Sequence, residues 1–296
     1  LYMVFEALRD GTTRLDSRVT MSVEAASAAP SKLGIPPGGS LSVEQAILAL
    51  VTKSANDVAA ALGEHIGGSS ERFAQMMTMR ARSLGMSSTR FRNASGLPDP
   101  EQVTTARDMA TLGRRLFQDF PNRYHYFGTV HFAWGRAMIR NHNRMLGDYE
   151  GLDGIKTGFT NASGFNIVTS ARRDGVRLIG ATFGGSSWVE RDRHMGALLD
   201  QGFARMGVAA RAPSSIMAAA QTPARANANA NKASQSANRS ASQRQQVAAR
   251  AASNASRQQL VSYRTPVSPA AQAARRNARV EQGSANGSAS AAKTPA

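Results

Sequence analysis

The chain has 296 residues, of which 42% are hydrophobic, and a formal net charge of +16 at pH 7. This length allows one large domain or two small ones. Cysteine is absent, which excludes disulfides, thiolate metal sites and a cysteine nucleophile, and no apolar run is long enough to cross a membrane.

The first predicted element is a helix that ends near Asp10. Its apolar residues recur at helical spacing and share one face: Leu1, Val4, Phe5 and Leu8. Gly11 suits a left-handed helix cap. Weak alternation over residues 14–24 predicts a short strand, and the Pro- and Gly-rich residues 29–40 predict a loop.

Two consecutive helices follow, separated by a short junction. Ser42 is a good N-cap for the first helix, and Gln45 stands where a capping box requires it. The second helix is predicted over Val58–His65 and ends at a pair of glycines. The junction contains Ser54-x-Asn56, whose two side chains can point the same way. Taken alone, this motif is more simply explained as helix capping by one of the two residues.

Three more helices and an aromatic strand are predicted further along. The first helix is capped by Ser69 or Ser70, the second covers residues 105–120, and the last covers residues 188–206. Between the last two, the aromatic residues 124–134 indicate a strand near the sheet. The last helix is amphipathic, with these predicted buried positions: Val189, Met195, Leu198, Leu199 and Phe203.

The sequence predicts an antiparallel meander, with a lysine on or beside its first strand. Residues 165–171 and 176–183 have the composition of strands, and the Arg-Asp-Gly sequence at 173–175 is a hairpin turn signal. Before them stands the tripeptide 156–158, Lys-Thr-Gly. The ammonium gives charge, the threonine a hydrogen bond, and the glycine close access to the backbone, which suits an anionic ligand. A solvated lysine at a strand end is the alternative.

Residues 209–296 are a low-complexity tail rich in Ala, Ser, Gln and Arg. They carry twelve Lys or Arg and one acid, a net charge of +11, whereas residues 1–208 carry +5. So few large apolar residues cannot offset the entropy of ordering, which predicts disorder. The simplest interpretation is a solvated linker. The alternative is weak contact with anionic polymers or a membrane surface, and no specific nucleic-acid binding is expected.

The two short motifs become informative together. Ser54-x-Asn56 lies about a hundred residues before Lys-Thr-Gly, an order typical of serine penicillin-recognising enzymes. The surrounding sequence closely resembles the low-molecular-mass D-alanyl-D-alanine carboxypeptidases in four segments: residues 48–57, 91–98, 104–110 and 153–158. The resemblance extends almost continuously over residues 1–208 and leaves the tail out.

This resemblance implies an α/β penicillin-binding, β-lactamase-like transpeptidase fold for a catalytic domain over residues 1–208. We expect an antiparallel sheet backed by helices on one side, together with an all-helical lobe that contains residues 42–120. The active site would lie between the sheet and the lobe, where Ser54 and Lys156 meet.

The resemblance also implies a mechanism of acyl transfer. A serine attacks the peptide bond between two D-alanines, and water then hydrolyses the acyl-enzyme. Ser54 would relay a proton towards the leaving group. Asn56 would hydrogen-bond the substrate backbone and orient a second lysine, and Lys156 would stabilise negative charge and favour Ser54 as the relay.

The residues that follow Lys156 would bind the substrate with it. By resemblance, Thr157 contacts the terminal carboxylate, Gly158 lets the substrate approach, and the N–H of Phe159 forms half of the oxyanion hole. Arg191 would help to hold the carboxylate, with a solvated helix arginine as the alternative. The histidines show no zinc spacing, so neither a metal nor another cofactor is expected.

One family motif is missing from its expected place. Ser-x-x-Lys, which carries the nucleophile and its lysine base, does not occur at a suitable position. We expect it just upstream of Leu1, after a signal peptide, so that this chain is an enzyme fragment without its nucleophile.

The function implied for the intact protein is that of a serine-type D-Ala-D-Ala carboxypeptidase. It would trim peptidoglycan pentapeptides, bind β-lactam inhibitors, and be exported to the periplasm or cell envelope. The alternatives are a D,D-endopeptidase, a serine β-lactamase of the same fold, and an inactive fragment that binds the cell wall.

Overall fold

The computed structural model describes residues 1–209, so the predicted tail lies almost entirely outside the described residues. Within them, the helices are α1 (Tyr2–Arg9), α2 (Val23–Ser27), α3 (Val43–Thr52), α4 (Asn56–Gly67), α5 (Ser70–Ser83), α6 (Ala106–Asp119) and α7 (Trp188–Arg205). The strands are β1 (Arg18–Thr20), β2 (Ser40–Ser42), β3 (His131–Trp134), β4 (Ala137–Arg140), β5 (Leu152–Thr160), β6 (Gly164–Arg173) and β7 (Val176–Gly185). None of these helices has the length and apolar character that a membrane crossing requires.

The first helix and a two-stranded sheet form one end of the core. α1 buries Val4 and Phe5, and Gly11 follows it with φ +74°, as a left-handed cap requires. β1 pairs antiparallel with β2. The sequence predicted a strand around β1 but missed β2 and α2, because elements of three to five residues depend on tertiary pairing more than on local pattern.

The helical lobe contains α3 to α6, and its caps agree with the sequence. Ser42 and Gln45 complete a capping box at the start of α3. α4 begins at Asn56, two residues earlier than predicted, so the Ser54-x-Asn56 motif spans the turn and the first residue of the helix. Two further predicted caps accept hydrogen bonds at the starts of α5 and α6: Ser69 and Thr105.

The predicted meander is the three-stranded antiparallel sheet β5-β6-β7. β6 and β7 are joined at Asp174 and Gly175, which have φ values of +46° and +81°, as a tight hairpin turn favours. Lys156 pairs with Val168 of β6. The lysine therefore lies within the first strand, as predicted.

Helices cover both faces of this sheet. A Cβ added to Gly113 of α6 would lie 3.0 Å from both Ile155 Cδ1 and Ile179 Cγ2, so α6 packs closely on one face. A Cβ added to Gly180 would lie 2.7 Å from Met195 Sδ of α7. Successive strand residues point to opposite faces, so α7 packs on the other face. The expectation of helices on one side was therefore incomplete, because α6 of the lobe closes the second face.

Arg177 of β7 ties α6 to the sheet. Its guanidinium carbon lies 4.0 Å from the centre of the Phe117 ring in α6. The same guanidinium donates hydrogen bonds of 2.6 Å to Asp153 of β5 and to Ser170 of β6. One side chain therefore links the helix to all three strands.

Two predictions of local structure were wrong. The aromatic segment 124–134 begins as a 3-10 helix, Tyr124–Gly128, and only its end forms a strand, β3, which pairs with β4. The rings of Tyr126 and Phe127 pack against Phe5 of α1, and this aromatic cluster favours a compact turn. Leu198 is 40% exposed rather than buried, because α7 presents a narrower apolar stripe than its composition indicates.

Candidate active site

The first half of the candidate site is the junction between α3 and α4. Ser54 lies there with φ +56°, a left-handed conformation that costs a non-glycine residue about 1–2 kcal/mol. Among the non-glycine residues that the structure describes, only Asp174 shares a positive φ, and its hairpin turn favours it. Strain of this kind persists where neighbours enforce it, commonly at functional sites. Within residues 1–209 the Ser54 hydroxyl forms no hydrogen bond.

Asn56 has its amide oriented by a neighbouring loop. Its Nδ2 donates to the carbonyl oxygen of Ala29 at 2.9 Å, and its backbone N–H donates to the carbonyl oxygen of Ser31 at 2.7 Å. In the described part of the chain its Oδ1 accepts no hydrogen bond. That oxygen is therefore available to an ammonium or to a substrate N–H.

The second half of the site is β5, where Lys156 is partly buried. Its Nζ donates to the carbonyl oxygen of Thr157 at 2.6 Å. Burial, followed by the charge of Arg191, lowers the pKa of Lys156 from 10.5 to about 8. This burial argues against a solvated lysine at a strand end. An ammonium whose pKa is lowered to about 8 is suited to proton transfer as well as to charge stabilisation.

Arg191 lies in the first turn of α7 and is only 4% exposed. Its Nε and Nη2 donate to Oδ1 of Asp192 at 2.8 and 2.6 Å, and burial raises the pKa of that carboxyl. The alternative of a solvated helix arginine is therefore wrong. Arg191 acts on Lys156 by its charge, and its contact with a substrate carboxylate stays a prediction.

The three residues after Lys156 lie at the end of β5. Thr157 is buried, whereas Gly158 and Phe159 are exposed, and the Phe159 ring lies 4.5 Å from that of Phe165. A Cβ added to Gly158 would meet nothing closer than Asn166 Cβ at 3.9 Å. No neighbouring protein atom therefore requires a glycine at 158, and the space above the strand is open to a ligand.

His142 connects the two halves. Its backbone N–H donates to the carbonyl oxygen of Thr52 at the end of α3, at 3.3 Å. Burial lowers the pKa of His142, and the charges of Lys156, Lys53 and Arg144 lower it further. The charges of Lys156 on β5 and of Lys53, next to Ser54, therefore both act on the His142 imidazole.

The structure brings some of the predicted residues together. Residues 156–159 are contiguous on β5 with Arg191 nearby, and Ser54 and Asn56 share the helical junction. The convergence of Ser54 and Lys156 on one pocket stays a prediction, since no hydrogen bond joins them within residues 1–209. Sequence reasoning assigned no role to His142, and the only signal for it was its position shortly before β5. In the same range, no group of three His, Asp or Glu is placed to hold a metal ion.

Comparison with known proteins shows the family of the chain. The profile of the peptidase S11 family, D-alanyl-D-alanine carboxypeptidase, matches residues 1–187. The D-alanyl-D-alanine carboxypeptidase DacC of Escherichia coli (strain K12) is 34% identical over 209 residues, which are 68% of this chain and 52% of that protein.

Solved structures show the same likeness. Penicillin-binding protein 5 from Haemophilus influenzae matches with 32% identity and a TM-score of 0.66, over 69% of this chain and 60% of that one. Penicillin-binding protein D2 from Listeria monocytogenes, in its cefotaxime-bound form, matches with 28% identity and a TM-score of 0.60, over 68% and 83%. The predicted fold class is confirmed.

The match is extensive but partial. The chain spans about half the length of the curated relatives that it matches. The family profile nevertheless covers well over half of the chain, including the Ser54-x-Asn56 and Lys-Thr-Gly motifs. The chain therefore belongs to the peptidase S11 family of D-alanyl-D-alanine carboxypeptidases.

Proposed function

We propose that this protein is a serine-type D-Ala-D-Ala carboxypeptidase that removes the terminal D-alanine from peptidoglycan stem peptides through an acyl-enzyme. The observation that carries the proposal is the geometry of β5. It presents a partly buried ammonium at Lys156 and, two residues later, an open glycine. In the part of the chain that the structure describes, β5 is an edge strand paired only with β6.

A free strand edge suits an extended peptide substrate. Such a peptide can add to β5 through main-chain hydrogen bonds, and Gly158 leaves room for that approach. The N–H of Phe159 would then donate to the developing oxyanion. Thr157 would contact the terminal carboxylate, with the charge of Arg191 close by.

Ser54, at the junction between α3 and α4, would transfer the proton. A serine hydroxyl is too weak an acid to protonate a leaving amine unless a cation lies beside it. Lys156 would supply that cation for Ser54, and the free Oδ1 of Asn56 would orient the lysine base. The attacking serine of the proposed reaction belongs to a Ser-x-x-Lys motif, which residues 1–208 do not contain.

The proposal also covers inhibitor binding, cellular location and the basic tail. The Listeria relative in its cefotaxime-bound form supports β-lactam acylation here, because a β-lactam presents a reactive carbonyl beside a carboxylate. We also propose export to the periplasm or cell envelope, where the substrate is found. Weak contact of the basic tail with anionic polymers rests on its charge alone.

The first test is the gene. Reading it in frame upstream of Leu1 should reveal Ser-x-x-Lys shortly before that residue. A stop codon there with no such motif would contradict the enzyme assignment.

The second test is kinetic and uses protein expressed from the complete natural reading frame. Lys156→Ala should lower acylation by a labelled penicillin, and Ser54→Ala should lower D-alanine release from a diacetyl-Lys-D-Ala-D-Ala peptide, each by about a hundredfold or more. Lys156→Arg keeps the charge but changes its shape, and Ser83→Ala removes an exposed hydroxyl that bonds only within α5. Parental rates in both alanine variants would refute the assignment.

A further inference from the structure

A loop outside the family motifs encloses the turn that carries Ser54. This segment, residues 29–34 and called here the 29–34 loop, follows α2 and lies against the start of α4. Four of its residues form hydrogen bonds with the turn and the start of α4, on both sides of Ser54: Ala29, Ser31, Leu33 and Gly34. Both backbone and side-chain groups form these contacts. Together they hold the turn in a defined position relative to the loop.

Ser31 holds the turn from both sides. Its hydroxyl donates to the carbonyl oxygen of Lys53 at 3.0 Å, and its carbonyl oxygen accepts the backbone N–H of Asn56 at 2.7 Å. Lys53 directly precedes Ser54, and Asn56 is two residues after it. Together with the bond from Asn56 Nδ2 to Ala29, these contacts leave the backbone at Ser54 little freedom.

Asp57 anchors the other end of the loop. Its side chain is fully buried, with 0% exposure. One carboxylate oxygen accepts the N–H of Gly34 at 2.9 Å, and the other accepts the N–H of Leu33 at 3.0 Å. The second oxygen also accepts the N–H of Val58 at 2.9 Å. A carboxylate oxygen accepts hydrogen bonds and never donates them, so it suits three converging N–H groups.

These contacts explain how an unfavourable backbone conformation is kept. A serine with φ +56° returns to negative φ unless its surroundings oppose the change. Residues 53–55 of the turn include no glycine. Ser31 opposes the change by direct contacts with the turn, and Asp57 does so indirectly, by holding the loop that carries Ser31. The direction of the Ser54 side chain depends on this backbone angle, because Cβ is fixed relative to the backbone.

We propose that Asp57 and Ser31 are positioning residues of the active site. They fix the 29–34 loop to the helical junction, and the loop keeps Ser54 in the left-handed conformation that directs its hydroxyl. The catalytic consequence rests on the proposed function, whereas the conformational consequence does not.

The conformational part is tested on the chain itself by NMR. The HN–Hα coupling and 13C shifts of Ser54 should report a positive φ in the parent protein and a shift towards negative φ in Ser31→Ala and Asp57→Asn. Ser27→Ala is the matched control, because the exposed Ser27 hydroxyl bonds only the carbonyl oxygen of Glu24 within α2. An unchanged positive φ in Ser31→Ala would overturn the proposal, whether or not Asp57→Asn folds.

The catalytic part is tested on protein from the complete reading frame. We expect Ser31→Ala to lower kcat for D-alanine release by about tenfold with KM within about twofold of the parent. Ser31→Thr, which restores a hydroxyl, should recover most of that loss. Equal kcat in Ser31→Ala and Ser27→Ala would overturn the catalytic role. If the parent itself releases no D-alanine, the proposed function fails, and the NMR result alone decides the conformational role.

Discussion

Replacing Lys156 by methionine should make the folded protein more stable at neutral pH. The pKa of this lysine falls from 10.5 to about 8 on folding, and a difference of one pH unit corresponds to about 1.4 kcal/mol. Keeping the ammonium in the folded state therefore costs up to about 3 kcal/mol. Methionine has a similar length and no charge to desolvate, so Lys156→Met should recover most of this free energy.

The sign of the pH dependence follows from the same values. Below pH 8 both folded and unfolded chains are protonated at Lys156, and the cost is fully present. Between pH 8 and 10.5 the unfolded chain holds more protons than the folded chain, so stability rises with pH. The advantage of Lys156→Met should therefore be largest near pH 7 and disappear above about pH 10.5.

Urea denaturation at pH 7, 8, 9 and 10 measures this difference. Lys156→Arg is the control, because arginine stays protonated throughout this range. The stability of this variant should therefore not rise between pH 8 and 10. If Lys156→Met were no more stable than the parent at pH 7, the lysine would not be desolvated at its site. The argument that burial lowers the pKa of Lys156 would then fail as well.

Three other outcomes are expected. Ser54→Gly should be more stable than Ser54→Ala by about 1 kcal/mol in thermal unfolding, because only glycine relieves the left-handed strain and both remove the hydroxyl. Gly113→Ala should lower the free energy of unfolding by about 1–3 kcal/mol through overpacking. Gly158→Ala should change it by no more than about 0.5 kcal/mol yet bind labelled penicillin more weakly. Residues 1–208 should pellet less with peptidoglycan or acidic vesicles than the full chain at low salt, a difference that salt should abolish. Equal values within any of these pairs would count against the corresponding reasoning.

Local sequence signals accounted for most of the regular elements. Ser42 with Gln45, Ser69 and Thr105 each act as caps where the sequence placed them, because capping depends on residues within one turn of each other. The Arg-Asp-Gly hairpin at 173–175 likewise joins two strands as predicted.

Features that depend on distant contacts were not accessible in the same way. β2 exists through pairing with β1, and the compact turn at Tyr126 through packing on Phe5. The left-handed φ of Ser54 and the burial of Arg191 against Asp192 likewise depend on their neighbours. The sequence identified the chemically important residue types, whereas their conformations and ionisation depend on tertiary structure.

The packing of α6 shows that elements that are neighbours in sequence need not move together. α6 belongs to the helical lobe by sequence, yet Gly113 and the Arg177 contacts attach it to the sheet. The exposed Pro121 and Asn122 come just after Phe120, the C-cap of this helix. A protease cut there should therefore leave two fragments that stay associated, because α6 in the first fragment packs on the sheet in the second.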